Sequence, residues 1–335
     1  MKAAKRKALS LINSVLSPIE LQLGKKTEAA EFSSAQAYNE SRLPDDAVAY
    51  LQPTNSRLKE LKQRYVGHPA TQHSQWAEEL LKRDLKLPFF RGDNAYVYQV
   101  RRTNELAYLL TAYYVQTADK MNLWDILDED NLFGNYVVNF NDERLISRDL
   151  LDSILEINFL ERLLSLSTRR EFNVLDIGAG YGRLAHRLVK SFPNIGRVFC
   201  TDAVPESTFL SEYYLKYREV NDKAVVIPLD EIEAGLANNR IDLAINIHSF
   251  TECTLDSINW WLDLIRKHEI RHFMIVPTND KFLSVEINQP RRDFFDQIIT
   301  RGYKVVAKLP KYEGASSVQK YGIYPAYYYL FELVS

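Results

Sequence analysis

The sequence predicts an α/β fold in which an open, mostly parallel sheet carries helices on both faces. From Glu171 onwards, short apolar runs alternate with helical patterns, as in parallel strands joined by helices. The last two apolar runs, 303–309 and 327–334, have no predicted helix between them, so they should pair antiparallel. Residues before about 165 show neither this alternation nor a glycine motif. We therefore divide the chain into a mostly helical N-terminal region (1–165) and an α/β domain (166–335).

The composition is typical of a soluble globular protein. The chain has 335 residues, of which 46% are hydrophobic and 26% are charged, and its formal net charge is −2. Only two cysteines occur, which argues against a disulfide scaffold and suits a reducing compartment. We find no apolar run of about 18 residues, so no membrane span is expected, and the basic residues are dispersed, which gives no case for nucleic acid. The expected location is cytoplasmic.

The most informative stretch is 173–184, which reads NVLDIGAGYGRL. An apolar run is followed by three alternate glycines and then by a helical pattern, which predicts a strand, a tight turn and a helix. Glycine allows backbone angles that other residues resist and lets a ligand approach the backbone closely. In the dinucleotide fingerprint G-x-G-x-x-G the third glycine would stand at position 183, where this chain has Arg183. Its third glycine comes one residue earlier, at Gly182.

The remaining elements follow in regular order. We predict a helix from Asn104 to about Met121, and a helix from Arg148 to Leu164 with Ser147 as its N-cap. After the glycine-motif helix, Pro205 should begin a second helix of the α/β domain, and Pro290 should open a helix that Gly302 closes. The predicted strands are 174–177, 197–200, 224–227, 241–247, 272–276, 303–309 and 327–334.

The D-x-G-x-G-x-G pattern, which begins at Asp176, resembles motif I of the class I S-adenosylmethionine (SAM) methyltransferases. The resemblance covers Phe172 to Ser335, about half of the chain. It implies a Rossmann-like sheet of seven strands, parallel with an antiparallel terminal strand, and SAM as the cofactor. It also implies a set of cofactor-binding residues, namely Asp176, Gly178, Ala179, Gly180, Gly182, Arg183, Asp202, Ala203, Asp230 and Asn246.

Three acids follow the first three strands, where ligands bind in open α/β sheets. In the family, the acid at the position of Asp176 lies near the ammonium of the methionine part, although a carboxylate there could simply cap the turn. Asp202 offers two acceptor oxygens to the vicinal diol of a ribose; the alternative is a helix N-cap before Pro205. Asp230 is expected on the adenine amino group by the family pattern, or else is an exposed turn acid.

The fourth strand ends in Asn246-Ile247-His248-Ser249-Phe250-Thr251-Glu252. No Asp/Asn-Pro-Pro-aromatic or Pro-Cys motif occurs there, so amide, exocyclic nitrogen and pyrimidine C5 methylation lose support. A histidine is a natural general base for an alcohol, and His248 is the first catalytic candidate. Glu252 is the second, although Ser249-x-x-Glu252 also fits a capping box. His248 and Glu252 could together hold a divalent metal, but no ligand spacing supports this and we predict no metal.

This stretch, with Phe133-Gly134-Asn135 and Ile146 to Leu151 upstream, resembles the bacterial sugar O-methyltransferases. That resemblance implies a helical N-terminal region that covers the SAM site, and a sugar or nucleotide sugar as acceptor. The alternatives are a methyltransferase for another small molecule, a nucleotide-dependent oxidoreductase and a non-catalytic interaction module. The acceptor and the oligomeric state are not specified by the sequence.

Overall fold

The computed structural model describes residues 42–71, 81, 85–92, 104–141 and 144–334. The sequence also predicts an amphipathic helix near the basic N-terminus and a helix from Ser74 to Leu85; the first lies outside the described residues, and so does most of the second. In the described parts of the chain, no helix has the length and apolar character needed to cross a membrane.

Nine strands are described. They are β1 (Val138–Phe140), β2 (Arg144–Ile146), β3 (Phe172–Ile177), β4 (Ile195–Thr201), β5 (Ala224–Val226), β6 (Leu243–Ile247), β7 (His272–Val276), β8 (Tyr303–Pro310) and β9 (Tyr327–Leu333).

The described α-helices lie between and before these strands. They are α1 (Ala47–Tyr50), α2 (Ser56–Arg64), α3 (Glu105–Ala118), α4 (Leu123–Ile126), α5 (Arg148–Leu164), α6 (Arg183–Ser191), α7 (Pro205–Tyr217), α8 (Ile232–Leu236), α9 (Leu255–Lys267), α10 (Phe295–Thr300) and α11 (Ser316–Tyr321).

Seven of the strands form one sheet in the order β5-β4-β3-β6-β7-β9-β8. The five strands from β3 to β7 run parallel, and β9 is antiparallel to both β7 and β8. The strand order reverses between β3 and β6, because β4 and β5 lie on one side of β3 and the later strands on the other. The predicted Rossmann-like sheet of seven strands is therefore confirmed, including its antiparallel end.

The N-terminal elements share one hydrophobic core with the α/β elements. Buried apolar side chains from Ala47 to Phe331 belong to a single cluster in space. Helix α5 is the main link, since Leu150, Ile154 and Leu160 are fully buried in it. Its predicted N-cap is present, because the Ser147 hydroxyl accepts a hydrogen bond from the Leu150 amide at 3.0 Å. The boundary predicted at 165–170 falls in a short 3-10 turn, Leu166–Thr168.

The buried face of α3 is not the one that its large apolar residues suggest. In the sequence, Leu106, Leu109, Leu110, Tyr113 and Tyr114 recur at helical spacing, but Leu106 and Tyr113 are 64% and 52% exposed. The buried face consists of Ala107, Tyr108, Thr111, Ala112 and Val115. Small residues lie inward because a neighbouring backbone comes close, and the Thr111 hydroxyl accepts a hydrogen bond from the Ile323 amide.

Several element bounds also differ from expectation. Helix α10 begins at Phe295 and not just after Pro290, and the short helix α11 lies between the two terminal strands. Strands β1 and β2 form a small antiparallel pair in the region predicted to be helical. The apolar pattern after Pro205 also places Tyr217 on the buried face of its helix, but Tyr217 is the last residue of α7 and is 38% exposed.

Candidate active site

The glycine turn joins β3 to α6 at the point where the strand order reverses. Gly178, Gly180 and Gly182 have positive φ angles of 73°, 59° and 87°. The amides of Gly178 and Ala179 donate to the Thr201 carbonyl oxygen at 2.9 and 3.2 Å, which ties the turn to the end of β4. Ligands of open α/β sheets bind at this edge and at this crossover.

Two of the glycines are required by close contacts as well as by their φ angles. A Cβ atom on Gly178 would lie 2.2 Å from the Ser249 hydroxyl oxygen, in the loop after β6. A Cβ atom on Gly182 would lie 3.0 Å from side-chain atoms of Leu215 and Ser211 on α7. The first contact brings the β6 loop against the turn, and the second allows α6 and α7 to pack closely.

Asp176 lies in β3 next to its carboxyl end and is only 4% exposed. The pKa of this carboxyl group is raised to about 7, mainly by burial; Arg183 opposes the shift, while Glu156 and Asp202 contribute to it. A carboxyl group that is costly to ionise in the unliganded chain is suited to bind a cationic ligand group.

Asp202 follows β4 and is 8% exposed. One carboxylate oxygen accepts from the Gly180 amide at 3.0 Å, and the other accepts from the Val204 amide at 2.8 Å. Burial raises the pKa of Asp202 to about 6, although these bonds and one from the Ala203 amide lower it. The carboxylate is thus held rigidly against the glycine turn.

Helix α5 covers the turn with a row of polar side chains that the sequence analysis missed. The Tyr181 hydroxyl bonds Asp149. The Arg183 guanidinium donates to both oxygens of Glu156 at 2.8 and 3.1 Å, and to the Ser153 hydroxyl at 2.7 Å. Positions 149, 153 and 156 are three or four residues apart, so they lie on one face of a helix. This spacing is the feature of the sequence that could have predicted the polar row.

The helical pattern of 183–191 puts Arg183 and Arg187 opposite the apolar face, which suggests that they are exposed. The structure shows that they are not. Arg183 is half-buried in its pairing with Glu156, and Arg187 is only 2% exposed and pairs with Glu129 at 2.8 Å. Both partners come from the N-terminal region, whose position above α6 could not be read from the pattern of α6 alone.

Asn246 and His248 lie at the carboxyl end of β6, beside the turn. The Asn246 amide group donates to the Ile177 carbonyl oxygen at 2.9 Å and accepts from the Phe250 amide at 3.0 Å, so it fastens β6 to β3. His248 has a left-handed backbone, with φ at 63° and ψ at −29°. A non-glycine residue in this region is strained, and such residues concentrate at functional sites.

The environment of His248 keeps its ring neutral. The pKa of its ring is lowered to about 3, mainly by burial and next by the charge of Arg148; Asp152 opposes the shift, and Lys311 and Arg183 add smaller lowering effects. The Nδ1 atom lies 3.5 Å from the Thr278 hydroxyl oxygen. At neutral pH the ring can therefore accept a proton, but its protonated form is unstable.

The loop after His248 does not form the capping box that the sequence allowed. Ser249–Glu252 is a 3-10 helix, and α9 is capped by Thr254, whose hydroxyl accepts from the Ser257 amide at 3.3 Å. Glu252 is half-buried in this loop, four residues after His248 in the sequence. Among the residues that the structure describes, no three His, Cys, Asp or Glu side chains are grouped to hold a metal ion.

Asp230 is held by another part of the chain. It is on the surface after β5, and both of its oxygens accept hydrogen bonds from the Arg64 guanidinium at 2.9 Å. The structure thus brings together Asp176, the glycine turn, Asp202 with Ala203, Asn246 and His248, while the Asp230 carboxylate is engaged by the N-terminal region.

A groove of about 960 Å³ opens at the other end of the strands, near the amino ends of β6 and β7. It is lined by charges of both signs, including Arg240, Asp242, Arg271 and Glu332. Because parallel sheets bind ligands at their carboxyl ends, we place the candidate active site at the glycine turn and not in this groove.

No protein-family model matches the chain, and no curated protein matches its sequence. Solved structures that resemble it include the glycopeptide N-methyltransferase MtfA in complex with SAM, at 14% identity and a TM-score of 0.40, covering 55% of this chain and 94% of that one. The [4+2]-cyclase SpnF is similar at 12% identity and a TM-score of 0.40, with 66% and 93% covered. A SAM-dependent methyltransferase from Clostridium acetobutylicum is similar at 12% identity and a TM-score of 0.39, with 55% and 91% covered. At this distance the ligand and chemistry of the present chain rest on its own residues.

Proposed function

We propose that the protein is a SAM-dependent methyltransferase that transfers a methyl group to a hydroxyl of a small molecule. The observation that carries the proposal is the pair of buried carboxyl groups, Asp176 and Asp202, on either side of the glycine turn. SAM offers an ammonium for the first and a ribose diol for the second. The raised pKa of Asp176 indicates a carboxylate that lacks a sufficient cationic partner in the chain itself.

The same pair disfavours a dinucleotide. In a dinucleotide site the pyrophosphate lies at the glycine turn and the helix N-terminus. Here Asp176 and Asp202 flank the turn, and Arg183, the nearest cation on α6, is already paired with Glu156. A nucleotide-dependent oxidoreductase would have to place a dianion among these carboxylates.

The cost in folding stability argues against a purely structural role for the two carboxyl groups. Holding two carboxyl groups in the interior with raised pKa values costs folding stability at neutral pH. An interaction module that binds no ligand gains nothing from this arrangement.

When bound, SAM supplies a methyl group that is already activated on a sulfonium. The chain then has to hold the acceptor oxygen in place and remove its proton. His248 is the proposed base, because it lies at the end of β6, beside the turn. Its ring is unprotonated at pH 7, but a pKa of about 3 makes it a weak base by itself. Glu252 is the second candidate in the same loop.

The acceptor class rests on the resemblance to sugar O-methyltransferases, so we propose a sugar or nucleotide sugar. The N-terminal region is the proposed cover of the acceptor side, since α5 already packs across the turn. Arg148 of this helix stacks over the Tyr324 ring at 4.4 Å and bonds Asp152, near His248.

The proposal is tested by isothermal titration calorimetry with S-adenosylhomocysteine, the expected product. We expect micromolar binding by the wild-type protein. Asp202→Ala should weaken it roughly 10- to 100-fold, the effect of losing hydrogen bonds to a charged acceptor.

The matched control is Asp222→Asn, which changes an exposed acid between α7 and β5 and should leave affinity unchanged. Thermal melts should show that each variant is folded. Wild-type protein that binds NADH but not S-adenosylhomocysteine would refute the proposal.

A further inference from the structure

Residues 56–71, which we call the N-terminal strap, lie across the adenine side of the candidate site. The strap consists of α2 and the turns that follow it. Helix α2 packs along α7, and the far end of the strap is fixed to α9, where the Ser257 hydroxyl donates to the Pro69 carbonyl oxygen at 3.1 Å. It therefore spans the ends of β4 and β5, the strands whose loops should meet a nucleoside.

The first relevant contact is between Arg64 and Asp230. The guanidinium donates to both carboxylate oxygens at 2.9 Å and also bonds Glu231. Asp230 is the acid that the family pattern assigns to the amino group of adenine. Both of its oxygens face a guanidinium in this structure, which occupies the positions an amino group would use.

The second contact is made by the next residue. Tyr65 is 2% exposed, and its hydroxyl is 2.8 Å from the Thr208 hydroxyl and accepts a hydrogen bond from the Leu229 amide at 2.8 Å. The Leu229 amide is the backbone donor beside Asp230. A carboxylate next to a backbone N–H is a donor–acceptor pair that matches the amino group and adjacent ring nitrogen of a purine.

We propose that the strap is autoinhibitory: Arg64 and Tyr65 occupy the polar groups that recognise the adenine of the donor, and the strap is displaced when the donor binds. This inference rests on the proposed function, because it takes the ligand to be an adenosine compound.

The contacts of the strap set the free-energy cost of such a displacement. The strap is joined to α7 by two ion pairs, Arg57 with Glu212 at 2.6 Å and Lys62 with the buried Glu206 at 2.7 Å, and by the contact between the Tyr65 and Thr208 hydroxyls. The closed state is held mainly by burial of Leu58, Leu61 and Tyr65. The apparent affinity for donor is then reduced by the fraction of molecules in which the strap is closed.

The experiment is hydrogen–deuterium exchange of the full chain with and without saturating S-adenosylhomocysteine. Peptides from the glycine turn (177–183) should become protected, which reports donor binding itself. Peptides from the strap should exchange faster, which reports displacement. Slower exchange of the strap would overturn the inference, because the strap would then be a lid that closes on the donor.

A second measurement uses Arg64→Ala, which removes the contact with Asp230. We expect S-adenosylhomocysteine to bind about two- to fivefold more tightly, the range set by a partly exposed ion pair. Arg301→Ala is the matched control, since it removes a surface pair with Asp263 on α9, and it should leave affinity unchanged. Weaker binding by Arg64→Ala would also overturn the inference.

Absence of protection at the glycine turn would contradict the proposed function and this inference with it. Protection there without faster exchange in the strap would contradict the inference alone.

Discussion

At the scale of single residues, the site is defined by ionisable groups whose charged forms are disfavoured. Burial raises the pKa of Asp176 to about 7 and that of Asp202 to about 6, and it lowers the pKa of His248 to about 3. These groups lie in or just after β3, β4 and β6, at one edge of the sheet. Burying them is unfavourable for the chain alone, so the arrangement is best explained by a ligand that restores the lost interactions.

The role of His248 can be tested by mutation. His248→Ala should keep the affinity for S-adenosylhomocysteine within about twofold, and should lower kcat/KM for the acceptor about 100-fold or more, the usual contribution of a general base. The pKa of about 3 means that the proton-accepting form persists on acidification, so this group should cause no loss of rate between pH 8 and pH 5. Rates are measured on a panel of sugars and nucleotide sugars.

His268→Ala is the control for this substitution, because His268 follows α9 and lines the groove at the other end of the strands. Unchanged turnover in His248→Ala would remove it as the base. An acidic limb near pH 6.5 that disappears in His248→Ala would show that the ring titrates as an ordinary histidine.

At the scale of elements, α5 is the helix that joins the N-terminal region to the glycine turn. Its N-cap, length and apolar face were predicted from Ser147 and the leucine spacing, because these are local signals. Its polar contacts with Tyr181 and Arg183 were not predicted, because they depend on which element lies above it. The same reason explains the error on α3, where close packing and not side-chain size selected the buried face.

The Arg183–Glu156 pair should stabilise the packing of α5 on α6. The Glu156 side chain is 4% exposed and that of Arg183 is 17% exposed, so Glu156→Gln leaves a largely buried guanidinium without its counter-charge. We expect a loss of about 3 kcal/mol in the free energy of unfolding, measured by urea denaturation at pH 7.

Glu313→Gln provides the comparison. It breaks the pair between Glu313 and Arg162, whose side chains are 47% and 58% exposed. We expect the free energy of unfolding to fall by less than about 1 kcal/mol. Equal effects of the two substitutions would mean that the α5–α6 pair is no more than a surface contact.

At the scale of the whole molecule, the alternation of strands and helices was sufficient to predict the sheet and its antiparallel end, since both follow from connection rules. It could not predict how the N-terminal region meets the sheet. That region supplies Arg64 to Asp230, Glu156 to Arg183 and Glu129 to Arg187, each across more than 20 residues of sequence. Pairs at such separations leave no periodic trace in a single sequence.

The Glu129 cluster is the most deeply buried of these links, and it predicts how stability depends on pH. Burial by itself raises the pKa of Glu129, but Arg91 and Arg187 outweigh it and lower the pKa to about 2 from an ordinary value of 4.5. The carboxylate therefore stabilises the fold above about pH 4.5, and this contribution is lost as the pH falls towards 2. Glu129→Gln should lower the free energy of unfolding by about 3 kcal/mol at pH 7, and the difference from wild type should shrink as the pH falls through that window.

Glu219→Gln, at an exposed position, should show no such difference at any pH. A Glu129→Gln difference that stays constant from pH 7 to pH 2 would show that the residue acts through packing and not through its charge, so that the N-terminal region would not depend on this ion pair for its attachment to α6.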